Sequence, residues 1–262
     1  MPNNTVENRH FRLALFWAFL GSLGQLALFP YVLSLNSKTS QLPAPLAVVA
    51  IASTLQTGLL LIILNWIGLR LGDSMGLNTP FARAWVYRQP LPPISKPALN
   101  TALMVGGIGG IIVVGLSLAF KPWMPPTATS ATLKIDLWKS ILASFYGGIT
   151  EELFLRLFCL TLITWVLWKV FWRRTSRPTA SLFWLAIVVS AILFGLGHLP
   201  AAASIWALTP IVIVRTITLN ALLGIPFGWL YWRWGLEYAM LSHFCADLVL
   251  HGIPWVNLGI NH

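Results

Sequence analysis

The chain has 262 residues, 57% of them hydrophobic and only 9% charged, with a mean hydropathy of +0.75. A soluble domain carries about 25% charged residues, so this composition excludes an ordinary soluble protein and indicates a polytopic membrane protein. Lys and Arg outnumber Asp and Glu by 17 to 7, a net charge of +10; the basic residues fall mostly between apolar runs, where they set topology and meet lipid headgroups rather than nucleic acid.

A spanning helix needs about 20 mostly apolar residues. The first predicted span, Phe11–Leu35, follows "NRHFR" and lacks a small-residue cleavage site, so it reads as a retained helix rather than a signal peptide. Pro45–Leu69 is the second span. A basic, proline-rich connection over residues 70–97 carries Arg70, Arg83, Arg88 and Lys96, and leads to a third span, Pro97–Phe120. Residues 121–136 read as a Pro/Thr loop. Leu137–Val170 is the fourth span, followed by a loop at 169–177 with Lys169, Arg173, Arg174 and Arg177. Ser181–His198, Ala203–Trp232 and Leu236–Leu250 complete the set. Pro210, Gly224 and Pro226 interrupt the stretch from Ala203, which can be one kinked helix or two short ones. The expected fold is therefore an all-α membrane bundle of seven to eight transmembrane helices, with eight favoured.

The positive-inside rule puts the N-terminus and the 70–97 and 169–177 loops in the cytoplasm. Tryptophans near run ends, among them Trp66, Trp123, Trp138, Trp172 and Trp232, suit the membrane interface. Cys159 and Cys245 lie in apolar runs and read as free buried thiols.

Of seven acidic residues, Glu7, Asp73 and Asp136 fall in the tail or loops, and Glu237 near a run end. Glu151, Glu152 and Asp247 lie inside apolar spans. A charged side chain at mid-bilayer costs at least ~2.5 kcal/mol on insertion scales, so such residues usually face a cavity and serve function. In "GGITEELFLRLF" (residues 147–158), Glu152 and Arg156 are four apart and share a helix face. Glu151 is rotated from them by about 100° on an α-helix. One division of labour is that Arg156 holds Glu152 while Glu151 stays available as a general base. His198 ends the run "ILFGLGHLP", and His243 and Asp247 lie four apart in "LSHFCADL". A carboxylate beside a histidine orients the ring. His251 continues that stripe but reads as structural, Cys245 reads as packing, and His10 and His262 give no signal.

Together these motifs resemble the CPBP family of CAAX-type prenyl-protein endopeptidases and Abi bacteriocin-processing proteases. "EELFLR" is similar to its EExxxR motif, "FGLGH" (Phe194 to His198) to its FxxxH motif, and "HFCAD" (His243 to Asp247) to its third motif, a His followed four residues later by Asn or Asp. The resemblance covers roughly residues 137–250. It implies two parts: three variable N-terminal spans over 1–136 and a catalytic membrane domain over 137–262. It further implies an intramembrane endopeptidase in which Glu151 activates water with help from His198. Glu152 and Arg156 would support them, and His243 and Asp247 would stabilise the oxyanion. An ionised aspartate only accepts hydrogen bonds, so Asp247 is expected to orient His243 or to be protonated. The expected substrate is a membrane-associated protein or peptide, of which a prenylated CAAX terminus is one form. The expected surroundings are lipid, in a bacterial plasma membrane.

Metal use stays open at this point: Glu151, His198 and His243 would form a His₂Glu zinc set, although H-E-x-x-H is absent. Two other functions stay open as well. A proton- or ion-coupled transporter also places carboxylates and histidines in the membrane, although no internal repeat is visible. A non-catalytic scaffold or immunity-type protein is the third reading.

Overall fold

The computed structural model describes residues 3–35, 44–126, 136–172 and 175–252. The sequence readings that fall on residues 127–135 of the Pro/Thr loop, on Arg173 and Arg174, and on His262 lie outside these residues. The described residues form helices and no strands, joined by turns and short connections: α1 (Asn3–Leu35), α2 (Leu46–Asp73), α3 (Pro80–Val86), α4 (Lys96–Phe120), α5 (Leu137–Phe145), α6 (Thr161–Phe171), α7 (Ala180–Gly197), α8 (Leu199–Ala203), α9 (Pro210–Trp234) and α10 (Leu236–Gly252). The N-terminal stretch read as a tail belongs to α1. Between α5 and α6 the chain continues as two widened, π-helical segments, Tyr146–Glu151 and Leu153–Leu160. The run from Leu137 to Phe171 is thus one span with a distorted middle.

Six helices among the described residues are long and apolar enough to cross a membrane: Arg9–Ser34, Leu46–Asp73, Lys96–Trp123, Leu137–Phe171, Ala180–Ala203 and Pro210–Trp234. The expected count of seven to eight is therefore not reproduced. The stretch read as one or two spans is a single helix, α9, with Pro226 inside it. Helix α10 is apolar but has only 17 residues. It packs against α4, α5, α9 and the first widened segment.

Without a hydrophobic drive between helices in lipid, close packing of small residues holds such a bundle. Gly68 lets α2 approach the Leu157 carbonyl, Gly195 lets α7 approach Ile217 on α9, and Gly228 on α9 meets Leu160 and Ile187. Thr150 fixes the first widened segment to α1 by donating to the Gly21 carbonyl at 2.8 Å. One buried apolar cluster runs from Leu13 on α1 to Ala246 on α10. Outward faces carry exposed Leu55, Leu59 and Ile63 on α2, and Met104, Ile108 and Ile111 on α4, the pattern of a lipid-facing surface.

The basic end of the bundle is tied together. Asp73 pairs with His10 at 2.6 Å and with Arg83 at 2.6 Å, so His10, silent in the sequence, is a structural partner. The turn between α9 and α10 docks here too. Gly235 adopts φ +110°, a conformation side chains resist. Leu236 N–H then donates to the Asn78 carbonyl at 3.2 Å, and Glu237 accepts from Ala82 N–H at 2.9 Å. These contacts fix the α9–α10 turn against the α2–α3 region.

Candidate functional site

The site is built where the widened middle of the fourth span meets α10 and the end of α7. Gly147 and Gly148 open the segment. A Cβ at Gly147 would run into the Asp247 carboxylate and the His243 ring, and one at Gly148 would lie 2.8 Å from Phe244 Cβ. Two successive glycines therefore admit the helix that carries His243 and Asp247. The π-helical turns shift the residues that follow, a distortion that recurs at functional sites.

Glu152 and Arg156 lie at the centre, 0% and 1% exposed. Arg156 Nη1 stands 2.8 Å from Glu152 Oε1, the pair expected from the i, i+4 spacing. Arg156 Nη2 donates to the Gly224 carbonyl on α9 at 3.1 Å. Its guanidinium lies over Phe194 at 5.0 Å and Phe227 at 5.4 Å. A buried cation is expensive unless paired and hydrogen-bonded, and these groups supply both. Thr161, which donates to the Arg156 carbonyl at 3.1 Å and bonds the Tyr231 hydroxyl at 3.0 Å, ties the segment's far end to α9.

His243 is buried on α10. Its Nδ1 lies 2.7 Å from Glu152 Oε1, and its ring stacks on Phe227 at 4.8 Å. Its Nε2 lies 3.6 Å from Glu151 Oε2 and 3.6 Å from Asp247 Oδ1. Asp247 therefore faces the ring, as its spacing suggests, but it is not the nearest carboxylate. Glu152, on another span, makes the close contact, and Asp247 stands at the opposite nitrogen. Helical spacing could not reveal this, because the partner comes from 91 residues away.

His198 caps α7. Its Nδ1 bonds the Phe194 carbonyl at 2.9 Å, and its Nε2 is 3.8 Å from Glu151 Oε1. Glu151 stands between the two histidine Nε2 atoms. Its side chain is 18% exposed and that of His198 33%, against 5% for His243. All six residues singled out in the sequence are therefore in one place. Phe227 and the Gly224 carbonyl were not singled out as site groups in the sequence. Phe194 was visible only as the first letter of its motif.

Two other sequence readings can be placed. His251 faces Tyr31, with Nδ1 3.4 Å from the hydroxyl. Cys159 and Cys245 are free thiols, but half-buried rather than fully buried as expected. Glu151, His198 and His243, the donors a zinc ion would use, do converge. Among the described residues no group of three or more His, Cys, Asp or Glu is disposed to hold a metal ion.

Fold and site together define an integral, multi-pass, all-α membrane protein with a cluster of ionisable residues inside its bundle. Residues 133–249 match the family model described as "Type II CAAX prenyl endopeptidase Rce1-like", which supports the CPBP/CAAX protease family that the motifs resemble. All three motifs fall within these residues. The activity that the match supports is, in general terms, that of a CAAX-type intramembrane protease. No curated protein and no solved structure matches the chain.

Proposed function

We propose that the protein hydrolyses a peptide bond near the terminus of a membrane-associated, CAAX-type substrate, using a water molecule activated by Glu151. The observation that carries the reading is the contrast between adjacent glutamates. Glu152 is sealed in the core, neutralised by Arg156 and bonded to His243. Glu151 is partly open and stands between two histidine nitrogens at 3.6 and 3.8 Å. Those gaps exceed a direct hydrogen bond and suit groups that act on a common third atom.

In the proposed step, Glu151 takes a proton from water as its oxygen attacks the scissile carbonyl, and His198 helps to hold that water. The carbonyl oxygen gains negative charge, which donors aimed at it in a dry site stabilise strongly. With Nδ1–H donating to Glu152, a protonated His243 ring donates Nε2–H to that oxygen, and Asp247 supports the ring's charge. The C–N bond then breaks, and the proton held by Glu151 passes to the leaving amine. No step is routed through a metal. Residues 1–136 are proposed to govern access and substrate choice, and the working location is a bacterial plasma membrane.

The test is cleavage of a prenylated CAAX peptide by purified protein in liposomes, with and without a zinc chelator. Wild type should cut in both conditions, and His198→Ala should slow cleavage. Loss of wild-type cleavage on chelation, restored by zinc, would replace this mechanism with a metal-dependent one.

A further inference from the structure

Arg215 is a second buried cation, on α9, that the mechanism above does not use. It is 7% exposed. Its Nη2 donates to Ser117 Oγ on α4 at 2.6 Å, and its guanidinium lies over the Trp206 ring at 5.0 Å. Among the described residues no carboxylate forms an ion pair with it. Arg156, by contrast, has Glu152. An apolar residue would fill the Arg215 position at less cost, and an ionisable group kept inside a membrane bundle marks a functional site by default.

Its chemistry is specific. A guanidinium has five N–H donors in a planar fork suited to a carboxylate. Stacking on Trp206 uses the face of that plane and Ser117 uses one edge position, so edge donors remain. The placement is specific too. Gly195 on α7 packs against Ile217, two residues from Arg215, and His198 lies three residues beyond Gly195. Arg215 therefore stands near the level of His198. His198 in turn lies 3.8 Å from Glu151, so Arg215 stands at the end of α9 on which the open side of the site lies.

We infer that Arg215 binds the free C-terminal carboxylate of the substrate, with Ser117 and Trp206 holding the guanidinium in place. Arg215 is then a positioning and specificity residue that seats the chain end beside the site at Glu151. The inference rests on the endopeptidase reading and adds what that reading lacks, a reason for selecting chain termini. A CAAX box is a C-terminal tetrapeptide, so its free carboxylate is only a few residues from each bond in it.

The experiment compares two prenylated CAAX peptides identical except for a free acid or an amide at the C-terminus, in neutral-lipid and in anionic-lipid vesicles. Wild type should prefer the acid by about 10- to 100-fold in kcat/KM, the worth of a hydrogen bond to a charged group. Arg215→Met should bring that ratio close to one, chiefly through KM, and Arg215→Lys should restore part of it. Ser117→Ala, which keeps the charge but frees the guanidinium, should lower the ratio and serves if Arg215→Met fails to fold. If wild type cuts acid and amide alike, or Arg215→Met keeps the preference, the carboxylate site is wrong and the endopeptidase reading stands. If Arg215→Met loses both peptides equally and only in anionic vesicles, the residue holds a lipid phosphate, which also overturns the inference. If wild type cuts neither peptide, the endopeptidase reading falls and takes the carboxylate site with it.

Discussion

Glu152→Gln removes the negative charge that faces both Arg156 and His243 Nδ1 and leaves only an amide oxygen as acceptor. Breaking a buried ion pair by removing one partner costs about 3–5 kcal/mol, because the other charge is left buried. Glu152→Gln should therefore lower the thermal midpoint in detergent as well as cleavage. Replacing both partners, as in Glu152→Leu with Arg156→Met, removes the stranded charge. That double variant should regain most of the lost midpoint, since such pairs are often replaceable by apolar residues. It should stay inactive, because His243 then has no carboxylate at Nδ1. A double variant that recovered cleavage would show that the buried pair does not position His243. At this scale the sequence was informative in part. The Glu152–Arg156 contact was legible because both residues share one helix face. The Glu152–His243 contact was not, since spacing within a segment says nothing about the neighbouring helix.

The element that makes the site is the widened stretch of the fourth span, and Gly147 is where it yields to α10. Gly147→Ala would place a methyl group against the Asp247 carboxylate and the His243 ring. Elsewhere in a helix, Gly to Ala stabilises by about 0.5–1 kcal/mol. Gly107 on α4 has open space around it, so Gly107→Ala should keep activity and leave the midpoint unchanged or slightly raised. Gly147→Ala should cut kcat/KM by at least about 10-fold, as expected when reacting groups shift by a fraction of an ångström or more. Equal activities for the two alanine variants would contradict the role given to the glycine pair. The i, i+4 spacing of the charged residues was legible from an α-helical reading, whereas the π-helical distortion was not. It depends on which helices crowd against the segment, and the crowding partners, the Gly21 carbonyl and Phe244, lie far away in sequence. The interruption read at Pro226 was real as chemistry but did not divide α9. Neighbours such as Leu160 and Ile187 pack close at Gly228, two residues beyond it.

For the whole molecule, the helix order and the ties at the basic end make one prediction. The α2–α3 region and the α9–α10 turn are joined through Asn78 and Glu237, so they face the same side. The α8–α9 connection lies at the other end of α9. The positive-inside rule assigns the basic side to the cytoplasm. Single cysteines at Gln89 and Ala207, both exposed, in a background with Cys159→Ser and Cys245→Ser, should label from opposite faces of sealed vesicles. Gln89→Cys should label from the cytoplasmic face. Labelling of both from one face would break the topology. The membrane class was legible from composition alone. The number of spans was less so, because the apolar stretch of α10 is short and the residues between His198 and Pro210 form only a single-turn helix and a connection.

The central claim is that Glu151, and not its buried neighbour, activates the water. Its most direct test is kcat/KM for a prenylated CAAX peptide in liposomes, wild type against Glu151→Gln, with folding checked by the thermal midpoint. Loss of a general base typically costs 10²–10⁴-fold, so Glu151→Gln should lose about that much while its midpoint stays close to wild type. A Glu151→Gln protein that folds and cleaves at the wild-type rate would contradict the account.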